Sequence, residues 1–167
     1  GAIELTEVEG RVDFDHVSFH YNESTPVLRD IDLDVAPGET IALVGHTGSG
    51  KTTITSLISR GYEVVGGAIR VDGHDIRDIK RRSLTRHMGV VLQQPYLFTG
   101  TVRENIAYGR PEASLEAIQE AAIAVGAHDF ISRLVDGYDT HLQQRGQNLS
   151  LGQRQLISFA RAILAQP

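Results

Sequence analysis

The stretch GHTGSGKT, Gly45 to Thr52, carries the densest chemistry in the chain. Its spacing is G-x-x-x-x-G-K-[ST], the pattern of a loop whose backbone N–H groups turn inward at a helix N-terminus and hold phosphate oxygens. Gly48 and Gly50 permit the turn and a close backbone approach. Lys51 is spaced to reach the outer phosphates, and the Thr52 hydroxyl to ligate magnesium. Gly45, His46, Thr47, Ser49 and Thr53 complete the expected binding set, His46 through its backbone rather than its ring. The chain has two lysines, Lys51 and Lys80, and the second falls in a separate polar segment, so Lys51 is the expected electrostatic anchor. Near the other end, Ser150 to Gln153 reads S-x-x-Q, a capping box that satisfies orphan donors at a helix start. Leu151, Leu156, Phe159, Ile163 and Leu164 then recur at roughly helical spacing.

Strands and helices must position these groups. RVDFDHVSFHY and VLRDIDLDV alternate apolar and polar residues, which predicts antiparallel strands with one wet face. TIALVG is a short apolar run of the kind buried on both faces of a parallel sheet, and it leads directly into the glycine loop. Thr52 to Arg60 reads as a helix. AIRVDG and MGVVLQ read as two further strands, around a short polar helix near Lys80 to His87. SLEAIQEAAIAVG, AHDFISRLV and the segment from Ser150 read as helices, so the last third is helical and attached to a sheet-containing part.

Composition sets limits. With 167 residues and 41% hydrophobic content, the prior is one domain. A net charge of -5, with 16 scattered Lys and Arg, provides no basic field, so nucleic acid is not an expected partner. The absence of cysteine excludes disulfides, thiolate metal sites and a cysteine nucleophile. The seven histidines show no metal-ligand spacing.

Taken in order, GHTGSGKTT, VVLQQPYLFTGTVRENI and QQRGQNLSLGQRQ resemble the nucleotide-binding domain of an ATP-binding cassette (ABC) transporter, most closely the exporter type. The likeness runs from about Val12 to the last residue. It implies an α/β P-loop NTPase (RecA-like) core with an antiparallel β-subdomain and a helical subdomain, truncated before the Walker B strand. Residues 10–44 would form mainly the β-subdomain and P-loop strand, 45–98 the P-loop, core helix and strands to the Q-loop, and 99–167 the helical subdomain. The resemblance makes Tyr21 the aromatic that stacks on adenine. It makes Gln93, rather than the adjacent Gln94, the Q-loop glutamine that touches magnesium or the attacking water. Lys51 and Gln93 are thus the expected catalytic pair, and Thr52 and Gln93 the expected metal contacts. LSLGQ resembles the signature motif, so Ser150, Leu151, Gly152 and Gln153 would meet ATP held by a second domain. Leu151 departs from the family's first glycine there, and Gln144 in THLQQRG stands where a glutamate is common.

The implied activity is ATP hydrolysis with Mg2+, driving domain pairing and export. The implied partners are the transmembrane domain of an exporter and a second nucleotide-binding domain, at the cytoplasmic side of a membrane. The alternative is a nucleotide-binding module or excised fragment without turnover, because the Walker B carboxylates and the switch histidine have no counterpart in this sequence. The same reading expects TIALVG and MGVVLQ to present exposed strand edges.

Overall fold

Alternation in the first third of the chain builds a sheet. In a computed structural model describing residues 2–167, β1 (Val12–His20) pairs antiparallel with β2 (Pro26–Val35) on one side and with β3 (Gly66–Val71) on the other. A short β4 (His74–Asp75) extends β3, giving the order β2-β1-β3-β4. Phe14 and Val17 are both buried although three residues apart, a spacing that would send them to opposite faces of a regular strand. The register shifts between them, and His16 adopts φ 50°, facing Asp30 at φ 51°. This bulge resets the parity so that Phe14, Val17 and Phe19 all enter the core.

After the glycine loop, α1 (Lys51–Ile58) buries Thr53 and Leu57, and α2 (Arg81–Arg86) buries Ser83 and Leu84. These elements lie in the first of two compact units, Gly1–Arg86, the second being His87–Pro167. The regular elements of the second unit are helices apart from one two-residue pair, β5 (Gly100–Thr101) with β6 (His141–Leu142). Its helices are α3 (Val102–Ile106), α4 (Leu115–Ala124), α5 (His128–Ser132) and α6 (Leu151–Leu164). Val102, Ile106, Ile118, Ile131, Leu142 and Ile157 form its centre. Among the described residues, no helix is long and apolar enough to cross a membrane.

Two expected strands are not formed. Neither TIALVG (40–45) nor MGVVLQ (88–93) enters a strand or bridge, and Val44, Val90 and Leu92 are 89%, 57% and 58% exposed. An apolar run becomes a strand only when neighbours accept and donate its backbone hydrogen bonds. Among the described residues no strand is in register with either segment.

Candidate functional site

The glycine loop closes on its own lysine. Lys51 Nζ donates to the carbonyl oxygens of Gly45 and His46 (2.7 and 2.8 Å) and to Ser49 Oγ (3.2 Å). Gly48 and Gly50 take φ 85° and 91°, the left-handed region where a side chain is strained. Gly50 is also the N-cap of α1, and a Cβ there would lie 2.7 Å from Leu28 Cδ2. At Gly45 a Cβ would lie 2.6 Å from Ser49 Oγ. The start of α1 has no side-chain cap and no acidic residue in its first turn. Its free amides and positive end of the dipole therefore face the loop without an internal anion. Among the described residues no carboxylate pairs with Lys51. Lys80, by contrast, is committed to Glu4 at 2.7 Å.

This donor set fits a polyphosphate: uncapped amides, a lysine ammonium, and backbone at Gly45 and Gly50 with little room for a Cβ. The exposed Thr52 contributes one hard hydroxyl oxygen, which suits magnesium, an ion that takes much of its octahedron from phosphate and water. The imidazole of His46 turns onto the loop itself, Nδ1 lying 2.9 Å from the Thr47 carbonyl oxygen.

Tyr21 follows directly on β1 and is 53% exposed. Its ring meets Phe19 and Tyr62 nearly perpendicularly, with centroids 4.9 and 5.0 Å apart. Its hydroxyl lies 3.0 Å from Thr53 Oγ1, in the first turn of α1. The structure thus joins Tyr21 to the loop helix through Thr53 and packs its ring against Tyr62, two contacts that the sequence does not reveal. Sequence proximity gives no signal for either contact, since Tyr21 and Thr53 are 32 positions apart.

The remaining expected site residues lie in the second unit. Gln93 and Gln94 are both exposed at a bend. Ser150 Oγ accepts from the Gln153 amide (3.1 Å), and the Gln153 side-chain oxygen accepts from the Ser150 amide (3.0 Å), so the expected capping box is complete. Leu151 and Gly152 are exposed, and a Cβ at Gly152 would find nothing closer than Ser150 Oγ at 4.0 Å.

Sequence reasoning did not single out the pair that organises the segment after Gln93. Asn105, 1% exposed, accepts from Phe98 N (2.8 Å) and donates to the carbonyls of Phe98 (2.9 Å) and Thr101 (3.0 Å). Arg161 on α6 donates to the Asn105 and Tyr96 carbonyls (2.8 and 3.0 Å) and to Asn105 Oδ1 (3.2 Å). Its guanidinium lies 5.5 Å from the Phe98 ring centroid and 5.7 Å from that of Tyr108. Burial pushes its pKa below the ordinary arginine value. A further cluster, Asp15, His16 and Asp32, brings ligand-type atoms within 4.8 Å of one another at the β1 bulge. There the His16 ring pairs with Asp30 at 2.7 Å, and the His16 amide donates to Asp32 at 2.7 Å.

Comparison with known proteins converges on one family. Residues 28–167 match the family model described as ABC transporter. The chain is 50% identical over 166 residues to the uncharacterized ABC transporter ATP-binding protein YknV of Bacillus subtilis, covering 99% of this chain and 28% of that protein. It is 49% identical over 164 residues to a fatty acid ABC transporter ATP-binding/permease protein of Mycobacterium bovis, covering 98% of this chain and 26% of that protein. It superimposes on a bacterial Atm1-family ABC exporter with ATP bound at a TM-score of 0.96 and 39% identity, covering 100% of this chain and 30% of that one. The chain thus spans between a quarter and a third of the length of these relatives.

Proposed function

Starting from the fact that this chain belongs to the ABC transporter family, we propose that it is the ATP-binding part of an exporter, and that ATP hydrolysis in the longer protein powers transport. The observation that carries this reading is the open N-terminus of α1, with Gly50 at φ 91°, no side-chain cap, and Lys51 unpaired with any carboxylate among the described residues. The loop from Gly45 to Thr53 binds the phosphates, and Tyr21 supplies the ring for adenine. Magnesium would supply charge neutralisation at the outer phosphates; the Thr52 hydroxyl would be one group to hold it, and Gln93 is added as a metal contact by the family resemblance alone. Lys51 adds to that neutralisation, and the amides of the loop orient the phosphate oxygens. Ser150, Leu151, Gly152 and Gln153 face nucleotide on a second copy or a homologous domain.

Partners of two kinds follow from this reading: a transmembrane domain, consistent with relatives named as ATP-binding/permease proteins, and a paired nucleotide-binding domain. The chain would work at the cytoplasmic side of the membrane. Titration with fluorescent ATP tests the core of the proposal. Lys51→Ala removes a charge-assisted donor, so affinity should fall about 10- to 100-fold, while Lys80→Ala, which touches only the exposed Glu4 pair, should bind like the parent. Equal losses would sink the assignment.

A further inference from the structure

We propose that Thr53 is a positioning residue for base recognition, its hydroxyl pinning the Tyr21 phenol so that the ring stands at a set distance from the phosphate loop. The proposal rests on the nucleotide reading above and deepens it. An exposed tyrosine has no need of a protein partner for its hydroxyl, because water serves. Here the hydroxyl is nevertheless 3.0 Å from Thr53 Oγ1, and Thr53 is 5% exposed on the first turn of the loop's own helix. The ring itself is held by two perpendicular aromatic neighbours, Phe19 at 88° and Tyr62 at 84°. A half-exposed ring restrained at its tip and by two neighbours is a preorganised platform, since less freedom remains to be lost when a flat ligand stacks on it. The restraint reaches the same helix whose N-terminus faces the phosphates. A nucleoside triphosphate engages both ring and loop, whereas bare polyphosphate engages the loop alone. The Tyr21–Thr53 bond therefore acts on the preference between them.

The readout is the ratio of Kd values for inorganic tripolyphosphate and ATP, measured on this chain by calorimetric titration. Tyr21→Phe and Thr53→Val should each lower the preference for ATP about fivefold, the scale of one hydrogen bond. Thr53→Ser, which keeps the hydroxyl, should restore it, and the double variant should be no worse than either single one. An unchanged ratio in both single variants, or losses that multiply in the double variant, would overturn the proposal. If Thr53→Val melts α1, as judged by circular dichroism, Tyr21→Phe decides alone because it leaves the helix intact. A parent that binds both ligands equally, yet loses both on Lys51→Ala, overturns the role of Thr53 and leaves the phosphate loop standing. A parent that binds neither overturns both readings.

Discussion

Helices α1 and α6 both begin beside residues expected to meet phosphate, yet they treat their first amides in opposite ways. At α1 the N-cap is a left-handed glycine that offers no side chain, and the first turn carries no carboxylate. At α6 the N-cap is Ser150, and its reciprocal bonds with Gln153 satisfy one donor on each side. The first arrangement leaves backbone amides for an external anion to complete, beside a lysine whose donors turn onto its own loop and whose charge no carboxylate balances among the described residues. The second holds its own terminus together, and the Ser150 hydroxyl, which accepts from Gln153, still has its proton to give outward. One terminus thus leaves its first amides open, while the other is already closed by its own side chains.

Substituting the glycine at each terminus separates the two most strongly. Gly50→Ala forces a side chain into φ 91° and against Leu28 Cδ2, so it should destabilise the chain by about 2 kcal/mol and lower the thermal midpoint followed by circular dichroism. Gly152 has ordinary backbone and open space around it, and alanine is the better helix former. Gly152→Ala should therefore leave the midpoint unchanged or raise it. A fall in both would show that the glycine at α6 also serves the fold, and the contrast would fail. If only the Gly50 variant falls, nothing in the unit's own packing accounts for glycine at position 152, and close approach by a second molecule gains support.

The cap gives a smaller effect of the same kind. Ser150→Ala removes the acceptor for the Gln153 amide and should cost about 1 kcal/mol, seen as a lower urea midpoint. No such cap exists at α1 to remove. A Ser150→Ala chain as stable as the parent would mean that water satisfies this terminus as well as the serine does, which would make α6 resemble α1 more than the bonds suggest.

Much of this contrast is visible in the sequence, because both termini are written in local code. G-x-x-x-x-G-K-T and S-x-x-Q each state a backbone geometry within a few residues. The antiparallel pair β1 and β2 is legible for the same reason, since alternation at period two is local. The bulge at His16 is not, because reading RVDFDHVSFHY as plain alternation passes over the three-residue step from Phe14 to Val17 that the bulge accommodates. What the sequence does not disclose depends on partners far along the chain. TIALVG and MGVVLQ have strand-like composition, yet composition describes the environment a segment suits and not whether a neighbour is there to supply its hydrogen bonds. The Tyr21 hydroxyl reads as dispensable until Thr53 is seen beside it, and Asn105 reads as an ordinary helix residue until four bonds converge on its side chain.

The smallest effect distinguishes α6 from a third terminus, α3, which has the same box with a titratable member. Thr101 caps α3, its amide donating to Glu104 Oε2 at 2.7 Å while its hydroxyl accepts from the Glu104 amide at 3.1 Å. The bonds from the Thr101 backbone and side chain lower the Glu104 pKa from the ordinary glutamate value of 4.5. A carboxyl depressed on folding contributes stability that is present above its unfolded value and lost as pH falls through its folded value. The thermal-midpoint gap between the parent and Glu104→Gln should therefore be widest above about pH 4.5 and close as the pH is lowered through the folded value. In α6 the corresponding residue is Gln153, which does not titrate, so the parent's box there has no such dependence. Gln153→Glu should introduce one, placing a carboxylate at a helix N-terminus where the dipole favours it, and its gap from the parent should close over the same acid range. A gap that stays constant with pH in both variants would show that neither carboxylate is engaged by its cap, and that the reciprocal bonds at α3 do not persist in solution.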